Sequence, residues 1–187
     1  NFAGNNSDGL YIYGAQVENL SYATSYIPNF GQSAGVTRAA ETCFGAGTSS
    51  TFNSTEGVLY AEISGLSQTY SSNSAISISD GTTTNRVFLN YSTSTNIIKF
   101  QGISGGATAF FIQSTLTNIT VTQKVAIKWD GTAFDVFING VSVGTDDRGL
   151  SFSTNTLTSV GFNRGSSAEF FYGNTKDIRV YNEALTD

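Results

Sequence analysis

The chain has 187 residues, with 9 Lys and Arg against 14 Asp and Glu, no His, one Cys and a formal net charge of -5. The lack of His excludes a Ser-His-Asp triad and a His-ligated zinc site, and the single cysteine, Cys43, excludes a disulfide within the chain. The acidic balance disfavours nucleic acid as a partner, because phosphate contacts need clustered Lys and Arg, and no apolar run is long enough for membrane insertion.

The first part of the chain is predicted to be separate from the rest. Residues 1–45 read as a connector that either packs on the following domain or, as we expect, completes a β-sandwich lying upstream in a larger chain, since a lone strand is not stable in water. Short extended stretches are expected in it at 10–18, 23–27 and 36–43. Residues 46–55 are polar and rich in Gly, Ser and Thr, which is typical of a linker or a long loop. Residues 56–187 then form one domain.

Alternation of apolar and polar residues dominates that domain and predicts strands with one face on a core. The alternating segments are 75–79, 86–91, 124–129, 134–138, 141–143 and 176–181. Turn dipeptides separate them at Asp80-Gly81, Asp130-Gly131 and Asn139-Gly140, and the last predicts a tight hairpin. Helical periodicity is nearly absent. The sequence therefore predicts an all-β fold, an antiparallel β-sandwich.

Three segments of the domain resemble laminin-G-like, concanavalin A-like jelly rolls. They are 124–131 (KVAIKWDG), 134–140 (FDVFING) and 173–187 (GNTKDIRVYNEALTD). In that family a strand ending in an aromatic-Asp-Gly turn leads into a strand ending in Asn-Gly. The resemblance covers about residues 56–187 and implies a jelly-roll sandwich of a lectin-like family.

The N-terminal segments carry a second resemblance. Residues 13–18, 22–28 and 36–40 look like a connector found in bacteriophage tail and adhesion proteins and in large surface proteins of marine bacteria. The resemblance implies a module of a tail fibre, tail spike or adhesin, placed in the virion or at the extracellular surface. Its partners would be other domains of the chain and further copies in a homotrimer.

Strand alternation also indicates which side chains point away from the core. The outward residues that suit a sugar ligand are Phe88, Asn90, Asp135, Phe137, Arg179 and Tyr181. An aromatic ring covers the apolar face of a sugar, while amide, carboxylate and guanidinium groups bond its hydroxyls. We expect these side chains to line one open sheet face; the alternative is that loops or the connector cover it.

Loops offer a second candidate surface, because binding residues often lie on loops carried by a rigid sandwich. Its candidate residues are Tyr70, Asn163, Arg164 and Tyr172. The alternative is that most of these side chains serve the fold. Trp129 continues the inward register of Val125 and Ile127, so we expect it in the core.

Calcium enters through the resemblance alone, since many laminin-G-like domains hold one ion at a rim. Asp146 and Asp147 are the candidate ligands that it implies. Calcium takes about six to eight oxygen ligands, which two carboxylates do not supply, so a solvated acidic turn is the alternative. No other cofactor is expected.

Catalysis is not expected. Glycoside hydrolysis needs two carboxylates about 5 to 9.5 Å apart, whereas the Glu residues are scattered and the Glu-x-Asp-x-x-Glu pattern of jelly-roll glucanases is absent. We predict a non-catalytic carbohydrate-binding module for a polysaccharide or cell-surface glycan, serving receptor recognition or adhesion. The alternative is a structural spacer or assembly domain of a tail fibre with no ligand of its own.

Overall fold

The computed structural model describes residues 15–17, 26–28, 30–31, 45–149 and 151–185. The chain divides into two compact units, Asn1–Glu41 and Thr42–Asp187. In the first unit the backbone N–H of Ile27 donates a hydrogen bond to Oε1 of Gln16, 2.7 Å away. The extended stretches predicted at 10–18 and 23–27 lie largely outside the described residues, and the stretch at 36–43 lies wholly outside them.

Ten strands and no helix occur in the described part of the second unit. They are β1 (Gly57–Gly65), β2 (Ser74–Ser79), β3 (Arg86–Tyr91), β4 (Ile97–Ser104), β5 (Ala107–Thr115), β6 (Gln123–Trp129), β7 (Phe134–Ile138), β8 (Val141–Asp146), β9 (Ser159–Gly161) and β10 (Gly173–Tyr181). Sheet A has the order β5-β4-β3-β2-β9, sheet B has the order β10-β1-β6-β7-β8, and all their pairings are antiparallel. The predicted antiparallel sandwich is confirmed. No described segment is a helix fit to span a membrane.

The predicted tight hairpin joins β7 to β8. Asn139 has a φ of 52° and Gly140 a φ of 80°, the two positive values that a type I′ turn requires. Oδ1 of Asn139 also accepts a hydrogen bond from the backbone N–H of Lys124 at 2.9 Å. The turn therefore fixes the register of β7 and β8 and ties their hairpin to β6.

The core lies between the two sheets and is closed by aromatic contacts. The rings of Phe110 in sheet A and Phe134 in sheet B stack with centroids 4.4 Å apart, and Phe152 meets Phe134 edge-on at 6.2 Å. Trp129 is 2% exposed, which confirms its predicted core position. Its Nε1 donates to the carbonyl of Ser54 at 3.1 Å, so its one polar atom is satisfied.

The segment 46–55, predicted as a linker or long loop, packs on the sandwich. Phe52 is 8% exposed and belongs to the core cluster. Oγ of Ser54 accepts a hydrogen bond from the backbone N–H of Leu157 at 2.9 Å. One inserted ring and a few polar contacts are enough to anchor the segment. Its composition therefore stays polar, which is why it resembles a linker in sequence.

Candidate functional site

The six strand residues expected on one face lie on opposite sides of the sandwich. In β3 of sheet A, Val87 and Leu89 point into the core, so the alternating residues Phe88 and Asn90 point outward. The other four are outward residues of sheet B: Asp135, Phe137, Arg179 and Tyr181. The prediction of one shared face is wrong, because alternation separates inward from outward residues and carries no information on which sheet holds the strand.

The outer surface of sheet A is called face A, and a row of side chains crosses four of its strands. Register pairs Ser77 with Phe88, Phe88 with Gln101, and Gln101 with Phe111. Exposure rises along this row, since Phe88 is 0% exposed, Gln101 is half-buried and Phe111 is 38% exposed. Strands lie about 4.8 Å apart, so the two Phe positions are roughly 10 Å apart.

Phe88 is buried by two arginines on the outside of sheet A. The guanidinium carbon of Arg86 lies 4.9 Å from the ring centroid, and that of Arg164 lies 5.0 Å from it. Nη1 of Arg86 donates to the main-chain carbonyl of Arg164 at 2.8 Å, which fixes the loop after β9 against β3. Phe88 is therefore a cation–π platform for two guanidinium groups and is closed to a ligand ring.

Glu169 joins this pair to the rest of face A. Nη1 of Arg164 donates to both of its carboxylate oxygens, at 3.0 and 2.9 Å, and Nδ2 of Asn73 donates to Oε1 at 3.1 Å. Nδ2 of Asn90 in turn donates to Oδ1 of Asn73 at 3.3 Å. Asn90 and Arg164, assigned from sequence to two separate candidate surfaces, thus belong to one network.

This network has more hydrogen-bond donors than partners. Four buried side-chain atoms of the described residues lack a partner, and three of them lie here: Oγ of Ser77, Nε of Arg86 and Nε of Arg164. Burial, and after it the charge of Arg164, lowers the pKa of Arg86. The nearby carboxylate of Asp80 does not bond Arg86, since its oxygens accept from Thr82 and Asn85.

Asn163 serves the shape of the loop. It is 9% exposed, and its Oδ1 accepts the backbone N–H of Gly165 at 2.9 Å. Gly165 has a φ of 86°, and a Cβ there would lie 2.8 Å from the carbonyl of Thr82. Only glycine fits this close approach, which brings the loop down onto face A.

Tyr70 and Tyr172 meet at a rim of the sandwich. The hydroxyl of Tyr70 donates to the carbonyl of Tyr172 at 2.6 Å and accepts from the backbone N–H of Leu66 at 2.8 Å. The Tyr70 ring stacks on Tyr91 with centroids 5.8 Å apart, and burial raises the pKa of Tyr91. Tyr70 is thus engaged in the fold, while the side chain of Tyr172 is 52% exposed.

The outer surface of sheet B, called face B, carries ion pairs between its own residues. Arg179 pairs with Asp177 at 2.7 Å, and this hydrogen bond is the main cause of its raised pKa. Lys128 pairs with Asp135 at 3.6 Å on the neighbouring strands β6 and β7. Face B therefore offers half-exposed aromatic rings, Phe137 and Tyr181, among ion pairs that already have partners.

One of the two predicted calcium ligands, Asp146, already has other partners. Oδ2 of Asp146 accepts the backbone N–H of Phe111 at 3.2 Å and pairs with Nε of Arg148 at 3.0 Å. Asp147 is exposed. Within the described ranges no group of three or more His, Cys, Asp or Glu side chains is suited to a metal. Calcium binding here stays a prediction.

Several face A residues were not recognised from the sequence. They are Asn73, Lys99, Gln101, Phe111 and Glu169. Alternation in β4, where Lys99 and Gln101 interleave with the core residues Ile98 and Phe100, carried a usable signal for the two polar residues. Glu169 had no such signal, because the alternation of a strand does not determine where a loop residue lies.

Residues 47–187 match a family model described as the concanavalin A-like lectin/glucanases superfamily. The chain belongs to that superfamily. The match confirms the resemblance seen in the closing segments of the sequence and agrees with the two-sheet sandwich. No curated protein sequence matches the chain.

Solved structures share the superfamily fold at low sequence identity. The CBM40 module of the Ruminococcus gnavus IT-sialidase is 18% identical with a TM-score of 0.58, over 79% of this chain and 93% of that one. The heptameric SAP-like pentraxin of Limulus polyphemus is 14% identical with a TM-score of 0.59, over 76% and 70%. Domain 4 of a GH43 extracellular arabinanase from Geobacillus stearothermophilus is 15% identical with a TM-score of 0.55, over 75% and 66%. At such identities the likeness concerns the fold.

Proposed function

We propose that this chain is a non-catalytic carbohydrate-binding module and that face A binds the glycan. The carrying observation is the row from Phe88 through Gln101 to Phe111, with a guanidinium pair at its buried end. An exposed ring, a planar amide and a cation within roughly 10 Å suit a sugar of one to two rings.

Two of the similar structures support this proposal by what they hold. The Ruminococcus gnavus module has been solved bound to α2,3- and α2,6-sialyllactose, and the Geobacillus stearothermophilus domain in complex with arabinotriose. Both are modules of the same fold that bind a glycan. The proposal carries that role to this chain on the strength of face A's own side chains.

The carboxylates beside face A support a non-catalytic role. The strands of sheet A contain no Asp or Glu. In the neighbouring loop the carboxylate of Glu169 is bonded to Arg164 and Asn73. A glycosidase needs a second carboxylate across the scissile bond, and the strand positions of this face offer none.

A phage-tail or cell-surface setting is the finer part of the proposal. Its support is the resemblance of residues 13–18, 22–28 and 36–40 to connectors of tail and adhesion proteins. A single shallow site binds weakly, and several copies on one fibre would raise the avidity without new contacts.

The test is a glycan array of bacterial and animal oligosaccharides, probed with calcium and with chelator, followed by calorimetry on the best ligand. Phe111→Ala removes the exposed ring of face A and should weaken binding about tenfold, as loss of one sugar-stacking contact. Phe137→Ala is the matched control, since it removes the same ring from face B. Chromatography of the ligand after incubation should show no cleavage.

Loss of binding in Phe137→Ala with Phe111→Ala unaffected would move the site to face B. A folded protein that binds no glycan on the array would contradict the proposed function and favour a spacer or assembly role. Release of shortened products would contradict the non-catalytic part alone.

A further inference from the structure

Charge separates face A from the rest of the molecule. The chain carries a formal net charge of -5. Even so, the five strands of sheet A hold two basic residues, Arg86 and Lys99, and no acidic one. The loop packed on them adds Arg164, whose partner is Glu169. The strands of sheet A thus carry two positive charges and no negative one, which attracts an anion, whereas the four basic residues on the strands of sheet B are matched by four acidic ones.

Unpartnered donors cluster at the same place. Buried polar atoms in native proteins nearly always have partners, so three unpartnered atoms within one network call for an explanation. Both Nε–H groups are donors only, and the hydroxyl of Ser77 can also donate. Glu169 bonds Arg164 through Nη1 alone and leaves this surplus in place. These donors are buried, so a ligand meets the network at the exposed part of Arg164, where the surplus of donors favours an anion.

We propose that the glycan bound by face A is acidic and that a sugar carboxylate binds the guanidinium of Arg164, with Arg86 as the residue that positions it. This inference rests on the proposed function. The side chain of Arg164 is 32% exposed, so of the two arginines it is the one that a ligand can reach. Arg86 is 8% exposed and holds the Arg164 carbonyl at 2.8 Å, behind the contact.

The rows of face A fit such a ligand. Asn90 pairs in register with Lys99, and Lys99 with Gln113, which runs parallel to the row from Phe88 to Phe111. With its carboxylate at Arg164, the sugar would place its hydroxyls near Lys99, Gln101 and Gln113. The exposed ring of Phe111 lies at the far end for stacking.

The experiment compares each acidic probe with its uncharged counterpart by calorimetry. The probes are sialyllactose, an oligogalacturonide, and the carboxyl-reduced form of each. Wild-type protein should bind the acidic form about tenfold or more tightly, as expected for a charge-assisted hydrogen bond. The same preference should shrink as salt is raised, because part of the contact is exposed.

Arg164→Gln should abolish this preference, and Arg164→Lys should keep part of it, since Lys retains the charge and loses the planar fork. Arg179→Gln is the matched control, because it removes an arginine that is also ion-paired, on face B. Thermal unfolding of each variant checks the fold. If Arg164→Gln does not fold, the inference is tested by two other measurements: the salt dependence of the wild-type preference and the partial preference of Arg164→Lys.

Equal binding of acidic and carboxyl-reduced probes, lost in Phe111→Ala, would overturn the inference and leave the proposed function standing. Tight binding of a sulfated probe without carboxylate would overturn the carboxylate assignment. Loss of the preference in Arg179→Gln alone would place the anion on face B. If wild-type protein binds no probe and no array glycan, both proposals fail.

Discussion

The two outer faces of the sandwich use similar residue types in opposite ways. On face A a phenylalanine, two arginines and a glutamate are drawn together under a loop, and Phe88 is 0% exposed. On face B the guanidinium carbon of Arg179 lies 5.9 Å from the ring centroid of Tyr60, and the Arg179 side chain is 59% exposed. The comparison teaches that a loop, more than the strand pattern, decides whether an outward residue becomes surface or support.

Burial changes what these contacts contribute. Ion pairs with an exposed partner are screened by water and salt and contribute little, which applies on face B to Glu62 and Lys176, since the Lys176 side chain is 73% exposed. On face A the Arg86 guanidinium is withdrawn from water, so losing a partner there leaves a buried charge less satisfied. We therefore expect face A to be the more sensitive of the two.

The largest difference should appear when the same ring is removed from each face. Phe88→Ala leaves a cavity between two guanidiniums and should lower the free energy of unfolding by about 3 to 4 kcal/mol. Phe137→Ala removes a half-buried ring and should cost about 1 kcal/mol. Urea denaturation followed by circular dichroism measures both. Equal losses would mean that the loop does not bury face A in solution.

An intermediate difference is expected for the carboxylates. Glu169→Gln weakens bonds from both Arg164 and Asn73 and should lower the free energy of unfolding by about 1 to 2 kcal/mol. Glu62→Gln loses one ion pair, with Lys176, whose side chain is 73% exposed, and should cost less than Glu169→Gln. The measurement is thermal unfolding at low and at high salt, where only the small Glu62 effect should vanish. The reverse order would contradict the contrast between the faces.

The smallest effect is on the pH dependence of stability and concerns one turn aspartate from each sheet, Asp80 after β2 and Asp130 after β6. Burial opposes ionisation of Asp80, but bonds from Thr82 and Asn85 outweigh it and lower its pKa. Bonds from Ala133 and Thr132 lower the pKa of Asp130. A lowered pKa stabilises the fold above the unfolded value of about 4, and that contribution is lost as the pH falls through the folded value.

Stability should therefore decrease between about pH 5 and pH 3, and Asp80→Asn and Asp130→Asn should each flatten this decrease by less than about 1 kcal/mol. Thermal unfolding across that range measures the change. A steeper decrease in either variant would contradict the sign.

What the sequence predicts well is set by local rules. The Asn139-Gly140 hairpin follows from two positive φ values, and the core position of Trp129 follows from the register of β6. The sheet that each strand joins is a matter of long-range pairing, so Phe88 and Phe137 were wrongly placed together. The contact between Arg164 and Phe88 spans 76 positions of the chain and has no local signal.

The segment before β1 has a consequence for the edge of sheet A. The outermost strand there, β9, has three residues, and Ala46 pairs with Val160 on its free side through a 2.9 Å bond from the Val160 N–H. Short, covered edges prevent strands of separate molecules from pairing. A chain shortened to begin at residue 47, where the family match begins, would leave this N–H unpaired. The exposed strand edge would then favour pairing between copies of the molecule.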